Sequence, residues 1–247
     1  MMKKAMPSVW ALLALVIAAL PVAAHAACRD MTYDDASYTV CDVSIGEDLR
    51  LFHSGPDGVL GSFAAVDDLL APLGHLGFAM NAGMYHPDRS PVGLFVEDSA
   101  EQSAIVTSDG PGNFGLLPNG VFCVGKSFSV IESRSYAATR PTCTYASQSG
   151  PMLVIDGKLH PKFLRGSSSK NIRNGVGVSA DGTTAVFAIS NDPVNFHAFA
   201  KLFRDALSLP NALYFDGKIS RLYAPDLGRN DLGFPMGPIV GTVVPKG

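Results

Sequence analysis

The chain has 247 residues, of which 47% are hydrophobic and 17% are charged, so it is too apolar for a disordered chain and long enough for one large or two small domains. Its formal net charge of -3 argues against a nucleic-acid-binding surface. The 25 Gly and 17 Pro residues, with only four Glu, favour a turn-rich protein with much β structure over a helical bundle.

The first 26 residues have the features of a secretory signal peptide. Lys3 and Lys4 precede an apolar run at residues 11–20, and Ala24-His25-Ala26 offers small residues at the positions that a signal peptidase reads. The run is shorter than the about 20 residues that a transmembrane helix needs. We expect residues 1–26 to be cleaved and residues 27–247 to form a periplasmic or secreted domain without a stable membrane anchor.

Export makes disulfide bonds the favoured role for the four cysteines. Cys28, Cys41, Cys123 and Cys143 show no CxxC spacing and no clustered histidines, so a zinc site is not indicated. Three connectivities are open to four cysteines, and an oxidising compartment favours pairing. We favour Cys28 with Cys41 and Cys123 with Cys143, because each pair closes a short loop between predicted strands.

The rest of the chain shows no linker and no internal repeat, and alternation, turn residues and apolar spacing predict short elements throughout. Strands are predicted, in chain order, at residues 37–45, 49–53, 75–80, 92–97, 121–124, 128–132, 152–155, 158–160, 176–178, 185–189, 213–215, 221–223 and 239–244. Helices are predicted at residues 63–73 and 195–207, and hairpin turns at Asp156-Gly157 and Asp181-Gly182. This pattern predicts an α+β fold: a single domain of mixed, mostly antiparallel sheets with a few helices packed on them.

Residues 120–127 match the phosphate-loop pattern GxxxxGKS, but the sequence around the match argues against a nucleotide site. The variable positions are Val, Phe, Cys and Val, which favour a strand. Since residues 128–132 have the pattern of a second strand, we predict a hairpin around Gly125-Lys126.

Four polar stretches that contain or adjoin glycine are candidates for a site, at residues 81–86, 148–151, 165–173 and 211–217. Each has an ordinary structural explanation as a turn or a solvated loop. The third stretch concentrates Arg165, Lys170 and Arg173 in an acidic protein, which suits an anion such as phosphate. In the fourth, Asp216 follows an apolar strand and is either a turn former or a site carboxylate.

Taken in order, these stretches resemble the phosphodiester glycosidase family, the domain of the mammalian lysosomal uncovering enzyme. The resemblance spans roughly residues 50–245 and is carried, in chain order, by residues 81–86, 91–94, 118–122, 148–157, 171–178, 190, 199–203, 211–221 and 237–241. Two family motifs are altered, because Asn-Gly-Gly is Asn81-Ala82-Gly83 here and Asp-Gly-Gly is Asp216-Gly217-Lys218. Both changes place a side chain near the implied site, which bears on the substrate more than on the reaction class.

The resemblance implies an exported hydrolase that cleaves a sugar-1-phosphodiester on a cell-envelope or extracellular glycan. The products are the free sugar and a phosphomonoester. A phosphodiester is a good leaving group at the anomeric carbon, so a strong general acid is less necessary than in ordinary glycosidases. No cofactor and no metal site are expected, although a structural divalent cation held by Asp residues and carbonyls leaves no signature in the spacing.

The implied reaction needs a carboxylate that acts as nucleophile, activates water or stabilises an oxocarbenium-like centre, and it needs cations for the phosphate. Asp216 is the expected carboxylate, while Asn81 and His86 orient sugar hydroxyls or water, and His86 is a candidate proton donor. The residues expected to bind the phosphate or complete the substrate shell are Arg173, with Arg165 or Lys170 as substitutes, and Gln148, Ser149, Gly83 and Gly217.

Two other functions fit the same residues. One is a non-catalytic module that binds glycan or envelope polymers, and the other is a phosphodiesterase that cleaves the P–O bond instead of the C–O bond. A metal-dependent phosphodiesterase normally needs clustered ligands, whereas the histidines here are isolated in sequence. The sugar, the aglycone and the oligomeric state stay open.

Overall fold

The computed structural model describes residues 26–246, so the predicted signal peptide lies almost wholly outside the described residues. Most elements are strands of antiparallel sheets. In the described part of the chain the strands are β1 Ala27–Tyr33, β2 Ala36–Ser44, β3 Leu49–Phe52, β4 Ser54–Gly55, β5 Gly58–Val59, β6 Gly74–Asn81, β7 Phe95–Glu97, β8 Ala100–Ser103, β9 Gly120–Val124, β10 Phe128–Glu132, β11 Tyr145–Ser149, β12 Met152–Ile155, β13 Lys158–Leu159, β14 Asn174–Val178, β15 Thr184–Ser190, β16 Asn211–Asp216, β17 Leu222–Ala224, β18 Arg229–Asn230 and β19 Ile239–Pro245. The helices are α1 Phe63–Leu70, α2 Ser133–Thr139 and α3 Phe196–Lys201, with a π turn at Leu202–Ala206 and a 3₁₀ turn at Pro225–Leu227.

A seven-stranded sheet forms one side of the molecule, in the order β1-β2-β15-β14-β16-β12-β13. Two of its hairpins confirm the predicted turns. Asp156 and Gly157 both have positive φ, at 47° and 76°, the conformation that favours an Asp-Gly turn between paired strands. Gly182, with φ of 72°, lies in the turn that joins β14 to β15.

Two five-stranded sheets complete the fold, with the orders β10-β9-β11-β7-β8 and β18-β17-β6-β19-β3, and β4 pairs with β5 in a small separate hairpin. The predicted hairpin at residues 120–132 is confirmed, because Phe128 pairs with Val124 in an antiparallel register. The stretch that matches a phosphate loop is therefore a buried strand and its turn, and the strand is paired with β10 on one side and β11 on the other.

A shared aromatic core joins the three sheets. Phe187 of β15 lies with its ring centroid 5.0 Å from that of Phe78 on β6 and 5.6 Å from that of Phe122 on β9. Phe215 of β16 packs against the same group at 6.5 Å. Each of these side chains is fully buried. One core for three sheets makes the molecule a single α+β domain, as predicted.

The two favoured disulfide bonds are present. Cys28 and Cys41 face each other across β1 and β2, and Cys123 of β9 is bonded to Cys143 just before β11. The first bond joins an edge strand to its neighbour. The second joins two cysteines that are 20 positions apart in the sequence.

Several elements differ from the sequence-based expectations: strands β1 and β8 were not predicted, and the first helix ends at Leu70 rather than at residue 73. Residues 148–151 were expected to form a turn, but Gln148 and Ser149 end the buried strand β11, and the turn begins only after them. The short helix α2 was not predicted; Glu132 caps it by accepting a 2.9 Å hydrogen bond from the Ser135 N–H. The predicted helix at 195–207 continues as a short π-helix after Lys201. No helix in residues 26–246 is both long and apolar enough to span a membrane.

Candidate active site

Polar residues at the ends of three buried strands come together at one edge of the core. Asn81 ends β6, Asn174 begins β14 and Asp216 ends β16. Since β14 and β16 run antiparallel with Asn174 opposite Asp216, the start of one strand lies beside the end of the other. The topology therefore gathers residues that are far apart in sequence at one position.

Asn81 and Asn174 form a reciprocal buried pair. Asn81 Nδ2 donates to Asn174 Oδ1 at 3.1 Å, and Asn174 Nδ2 donates to the Asn81 carbonyl at 2.8 Å. Asn81 Oδ1 also accepts from the Arg221 N–H at 2.9 Å. Both side chains are fully buried. The pair joins the seven-stranded sheet to the sheet that contains β6 and fixes the floor of the candidate site.

Asp216 presents a carboxylate on a backbone that the asparagine pair holds in place. Its N–H donates to Asn174 Oδ1 at 3.2 Å, and its Oδ1 accepts from the N–H groups of Gly217 at 2.6 Å and Lys218 at 2.9 Å. Burial nevertheless raises the pKa of Asp216, and these backbone hydrogen bonds oppose the shift. A positioned carboxylate with raised proton affinity is suited to general base chemistry.

Arg173 is buried beside this carboxylate. Its Nε donates to the Val194 carbonyl at 2.9 Å and its Nη1 to the Tyr214 hydroxyl at 3.1 Å, while the guanidinium lies 3.8 Å from the Phe196 ring centroid. Burial lowers its pKa, and the charge of Asp216 opposes that shift. No ion pair within residues 26–246 neutralises the guanidinium.

Gly217 lets the Asp216 turn pack tightly against this cation. A β-carbon at position 217 would overlap the Tyr214 hydroxyl and lie 3.3 Å from Arg173 Nη1. The glycine is therefore required by close approach, and its φ lies outside the left-handed region. It brings the turn that holds the carboxylate against the buried cation.

A second buried arginine, Arg221, lies on the other side of the asparagine pair. Nη1 donates to the Phe234 carbonyl at 2.7 Å, and the guanidinium lies 5.3 Å from the Phe63 ring centroid. Nε is buried and has no hydrogen-bond partner in the described part of the chain. Burial lowers the pKa of Arg221. A buried cation with unused donors is a candidate for holding an anion.

Arg221 lines a cleft of about 420 Å³ that adjoins the asparagine pair. Ser220 links the two features, because it lines the cleft and its hydroxyl lies 3.2 Å from Asn174 Oδ1 and 2.7 Å from the Asp216 carbonyl. Across the cleft, Arg229 forms a bidentate pair with Asp231 at 3.0 and 2.9 Å. The Asp231 charge also opposes the lowering of the Arg221 pKa, so the cleft wall carries two arginines and one carboxylate, a net positive charge among the described residues.

Tyr85 interacts electrostatically with both the Asp216 carboxylate and the Arg221 guanidinium. Burial raises its pKa, the Asp216 carboxylate raises it further and Arg221 lowers it. Its hydroxyl donates to the Pro235 carbonyl at 3.0 Å. The phenol is therefore close enough to both charged groups to feel each of them.

Gln148, Ser149 and Gly83 are committed to protein contacts. Gln148 Oε1 accepts from the N–H groups of Leu94 and Val106, each at 3.0 Å, and its amide nitrogen donates to Ser133 Oγ at 2.8 Å. Ser149 donates to the Phe215 carbonyl at 3.0 Å, next to Asp216. A β-carbon on Gly83 would lie 2.9 Å from Ser147 Oγ. These residues position the strand ends around the site.

His86, Arg165 and Lys170 are exposed. His86 lies in a tight turn in which its N–H donates to the Ser90 carbonyl at 2.9 Å. Arg165 lies beside His197 in a separate surface hollow near α3. Within residues 26–246, no hydrogen bond or ion pair joins these three side chains to the asparagine pair or to Asp216.

Asn174, Arg221 and Tyr85 had no role assigned from the sequence. All three fall within stretches that carry the family resemblance, but their importance depends on partners distant in sequence. Asn174 pairs with a residue 93 positions away, and the Arg221 N–H bonds one 140 positions away. No group of three or more His, Cys, Asp or Glu in residues 26–246 is placed to hold a metal ion.

Comparison with known proteins gives a consistent result. A family model described as phosphodiester glycosidase matches residues 75–232, which include the asparagine pair, both buried arginines and Asp216. The uncharacterized protein YigE of Escherichia coli (strain K12) is 32% identical over 216 residues, covering 85% of this chain and 83% of that protein. The fold is similar to that of the zebrafish N-acetylglucosamine-1-phosphodiester alpha-N-acetylglucosaminidase catalytic domain auto-inhibited by its pro-peptide, with TM-score 0.57, 13% identity, and coverage of 88% of this chain and 81% of that one.

Proposed function

The chain belongs to the phosphodiester glycosidase family, and we propose that it hydrolyses a sugar-1-phosphodiester by breaking the bond between the anomeric carbon and the phosphate oxygen. The observation that carries this assignment is the placement of Asp216. Its carboxylate has a raised pKa and stands beside a buried arginine without an ion pair, at the end of a strand held by the asparagine pair. A hydrolase of this kind needs one proton acceptor and positive charge for the leaving phosphate.

In the proposed reaction, Asp216 accepts a proton from water as the water oxygen bonds to the anomeric carbon. The bond from that carbon to the phosphate oxygen breaks, and its electron pair leaves with the phosphomonoester. Arg173 and Arg221 provide positive charge for the leaving anion, in surroundings of low polarity where such charge acts strongly. Asn81 and Asn174 keep the Asp216 backbone fixed. Every step uses side chains of this chain.

We further propose that the domain works outside the cytoplasm, in the periplasm or as a secreted protein. The two disulfide bonds support this location, because such bonds persist in oxidising compartments. The substrate is then a sugar phosphodiester of the cell envelope or of an extracellular glycan.

The direct test measures free reducing sugar released from UDP-GlcNAc and from a synthetic GlcNAc-1-phospho-ester. Asp216→Asn is the test variant, and Asp57→Asn is its matched control, since Asp57 is an exposed hairpin residue. We expect release by the parent protein and by the control, and a loss of at least about 100-fold in Asp216→Asn. Undiminished turnover in that variant would remove Asp216 from the mechanism, and a folded protein that binds glycan without releasing sugar would favour a binding module.

A further inference from the structure

Two large apolar side chains are exposed on the loop that borders the cleft. The cleft loop, residues 231–235, carries Leu232 at 90% exposure and Phe234 at 77%, the two most exposed large hydrophobic residues in the described chain. Leu232 also lines the cleft beside Arg221. Exposed apolar groups next to a concave polar site often mark a ligand-binding surface.

The backbone of the cleft loop is held in place, so these side chains are presented to solvent from a fixed position. Asp231 forms its bidentate pair with Arg229 and accepts from the Leu222 N–H at 2.9 Å. At the other end of the loop, the Phe234 carbonyl accepts from Arg221 and the Pro235 carbonyl accepts from Tyr85. Hydrogen bonds therefore hold the loop backbone at both ends.

The same cleft has the chemistry of an anion site. Arg221 is 8% exposed and makes one side-chain hydrogen bond to the described residues, through Nη1. A guanidinium has several further N–H donors, and the Nε donor is buried without an acceptor. Ser190 also lines the cleft; it is fully buried, and its hydroxyl accepts from the Arg173 N–H at 3.0 Å.

We propose that the cleft binds the phosphate and aglycone side of the substrate, and that this aglycone is an apolar alcohol. The phosphate lies against Arg221 and the apolar chain extends across Leu232 and Phe234. This assignment rests on the proposed function, because it places the sugar at Asp216 and the leaving group in the cleft. The charge and the apolar surface together select an amphiphilic phosphate ester, since neither inorganic phosphate nor a neutral lipid would use both.

The test measures binding, without turnover, by calorimetry with inorganic phosphate, butyl phosphate and decyl phosphate below its micellar concentration. The parent protein should bind decyl phosphate at least about tenfold more tightly than butyl phosphate. In a Leu232→Ser/Phe234→Ser double variant that preference should fall below about threefold. Leu73→Ser, an exposed apolar residue outside the cleft, is the matched control and should keep the preference.

Arg221→Gln should weaken both esters by at least about tenfold, and Arg221→Lys, which keeps the charge, should recover part of the loss. Leu232 and Phe234 are exposed, so the Leu232→Ser/Phe234→Ser variant should fold, and the aglycone claim does not depend on how the Arg221 variants fold. Equal binding of butyl and decyl phosphate by the parent protein would overturn the proposal. So would a decyl preference that survives in the double variant, or ester binding that is unchanged in a folded Arg221→Gln protein.

Failure of this inference is distinguishable from failure of the proposed function. If sugar is released equally well from butyl and decyl phosphodiesters, the hydrolase assignment stands and the apolar aglycone is wrong. If the decyl preference depends on Leu232 and Phe234 but no sugar-1-phosphodiester is hydrolysed, the cleft binds the amphiphile and the proposed reaction is wrong.

Discussion

At the scale of single residues, the site depends on a carboxylate kept in surroundings that oppose its charge. Burial raises the pKa of Asp216 above its ordinary value of 3.8. Between the ordinary and the raised value, the native protein binds more protons than the unfolded chain, so stability falls as pH rises through that window. At pH values above this window Asp216 is ionised in the native state, and its buried surroundings stabilise that charge less well than water does.

Replacing Asp216 with Asn should therefore separate stability from activity. The amide oxygen can still accept from the N–H groups of Gly217 and Lys218, and the charge is gone. We expect Asp216→Asn to raise the thermal midpoint at about pH 7 and to lose that advantage at about pH 3, where the parent carboxylate is protonated in both states. Thermal melts at the two pH values check this, with Asp57→Asn as a control that should show no such difference. A lower midpoint at neutral pH would contradict the account.

The pH dependence of turnover follows from the same carboxylate. A general base must be deprotonated, so kcat/KM should fall as pH decreases through the raised pKa of Asp216, above the ordinary value of 3.8. Initial rates from about pH 3 to pH 8 would show the acid limb. A rate that stays level as pH falls to the ordinary value of 3.8 would show that Asp216 does not accept the proton.

Gly217 gives a steric test of how closely the site is packed. An alanine there would meet the Tyr214 hydroxyl, so Gly217→Ala should reduce kcat/KM by at least about tenfold by displacing the Asp216 turn. Adding Tyr214→Phe removes the obstructing oxygen and should restore part of the loss. Gly166→Ala is the control, since open space surrounds that position. If the double variant is no better than Gly217→Ala, the overlap is not the cause.

At the scale of elements, the asparagine pair joins the end of β6 to the start of β14. Asn174→Ala would leave the Asn81 amide and the Asp216 N–H without their buried acceptor, which should cost about 3 kcal/mol in free energy of unfolding. Asn230→Ala, at an exposed strand residue, should change it by less than about 0.5 kcal/mol. Urea unfolding checks both. An Asn81→Ala/Asn174→Ala variant whose loss equals the sum of the single losses would show that the residues do not act as a pair.

Elements that depend on neighbouring residues were predictable from the sequence. Elements that depend on residues distant in the sequence were not. The Asp156-Gly157 hairpin follows from two neighbouring residues that tolerate positive φ. Strand β11 instead buries Gln148 through bonds to Val106 and Ser133, which lie 42 and 15 positions away. The sequence around Gln148 shows only a polar turn, because the partners that satisfy its amide become neighbours only in the fold.

The candidate site divides in the same way. Asp216 and Arg173 could be proposed from local pattern and resemblance, and the structure places them near one another. The exposed Arg165 and Lys170 share the local composition of Arg173, and no sequence signal separates a buried cation from its solvated neighbours. Burial of Arg173 depends on the ring of Phe196 and on the Val194 carbonyl, which packing brings to it.

At the scale of the whole molecule, three sheets around one aromatic core bring the strand ends into a fixed cluster. The core residues Phe78 and Phe215 lie close in sequence to Asn81 and Asp216, so core packing and site geometry are coupled. The cluster then meets a cleft with a cation on its wall and apolar residues on its rim. This arrangement suits a substrate that is part sugar, part anion and part apolar group.

The proposed mechanism depends most directly on which bond is broken, the C–O bond to the sugar or the P–O bond. Hydrolysis of a sugar-1-phosphodiester in ¹⁸O-labelled water should leave the phosphomonoester product unlabelled, because water attacks the anomeric carbon and the original oxygen leaves with the phosphate. Mass spectrometry of the phosphomonoester at early times gives the answer without interference from exchange at the sugar. Label in the phosphomonoester would show P–O cleavage by a phosphodiesterase and would contradict the glycosidase mechanism.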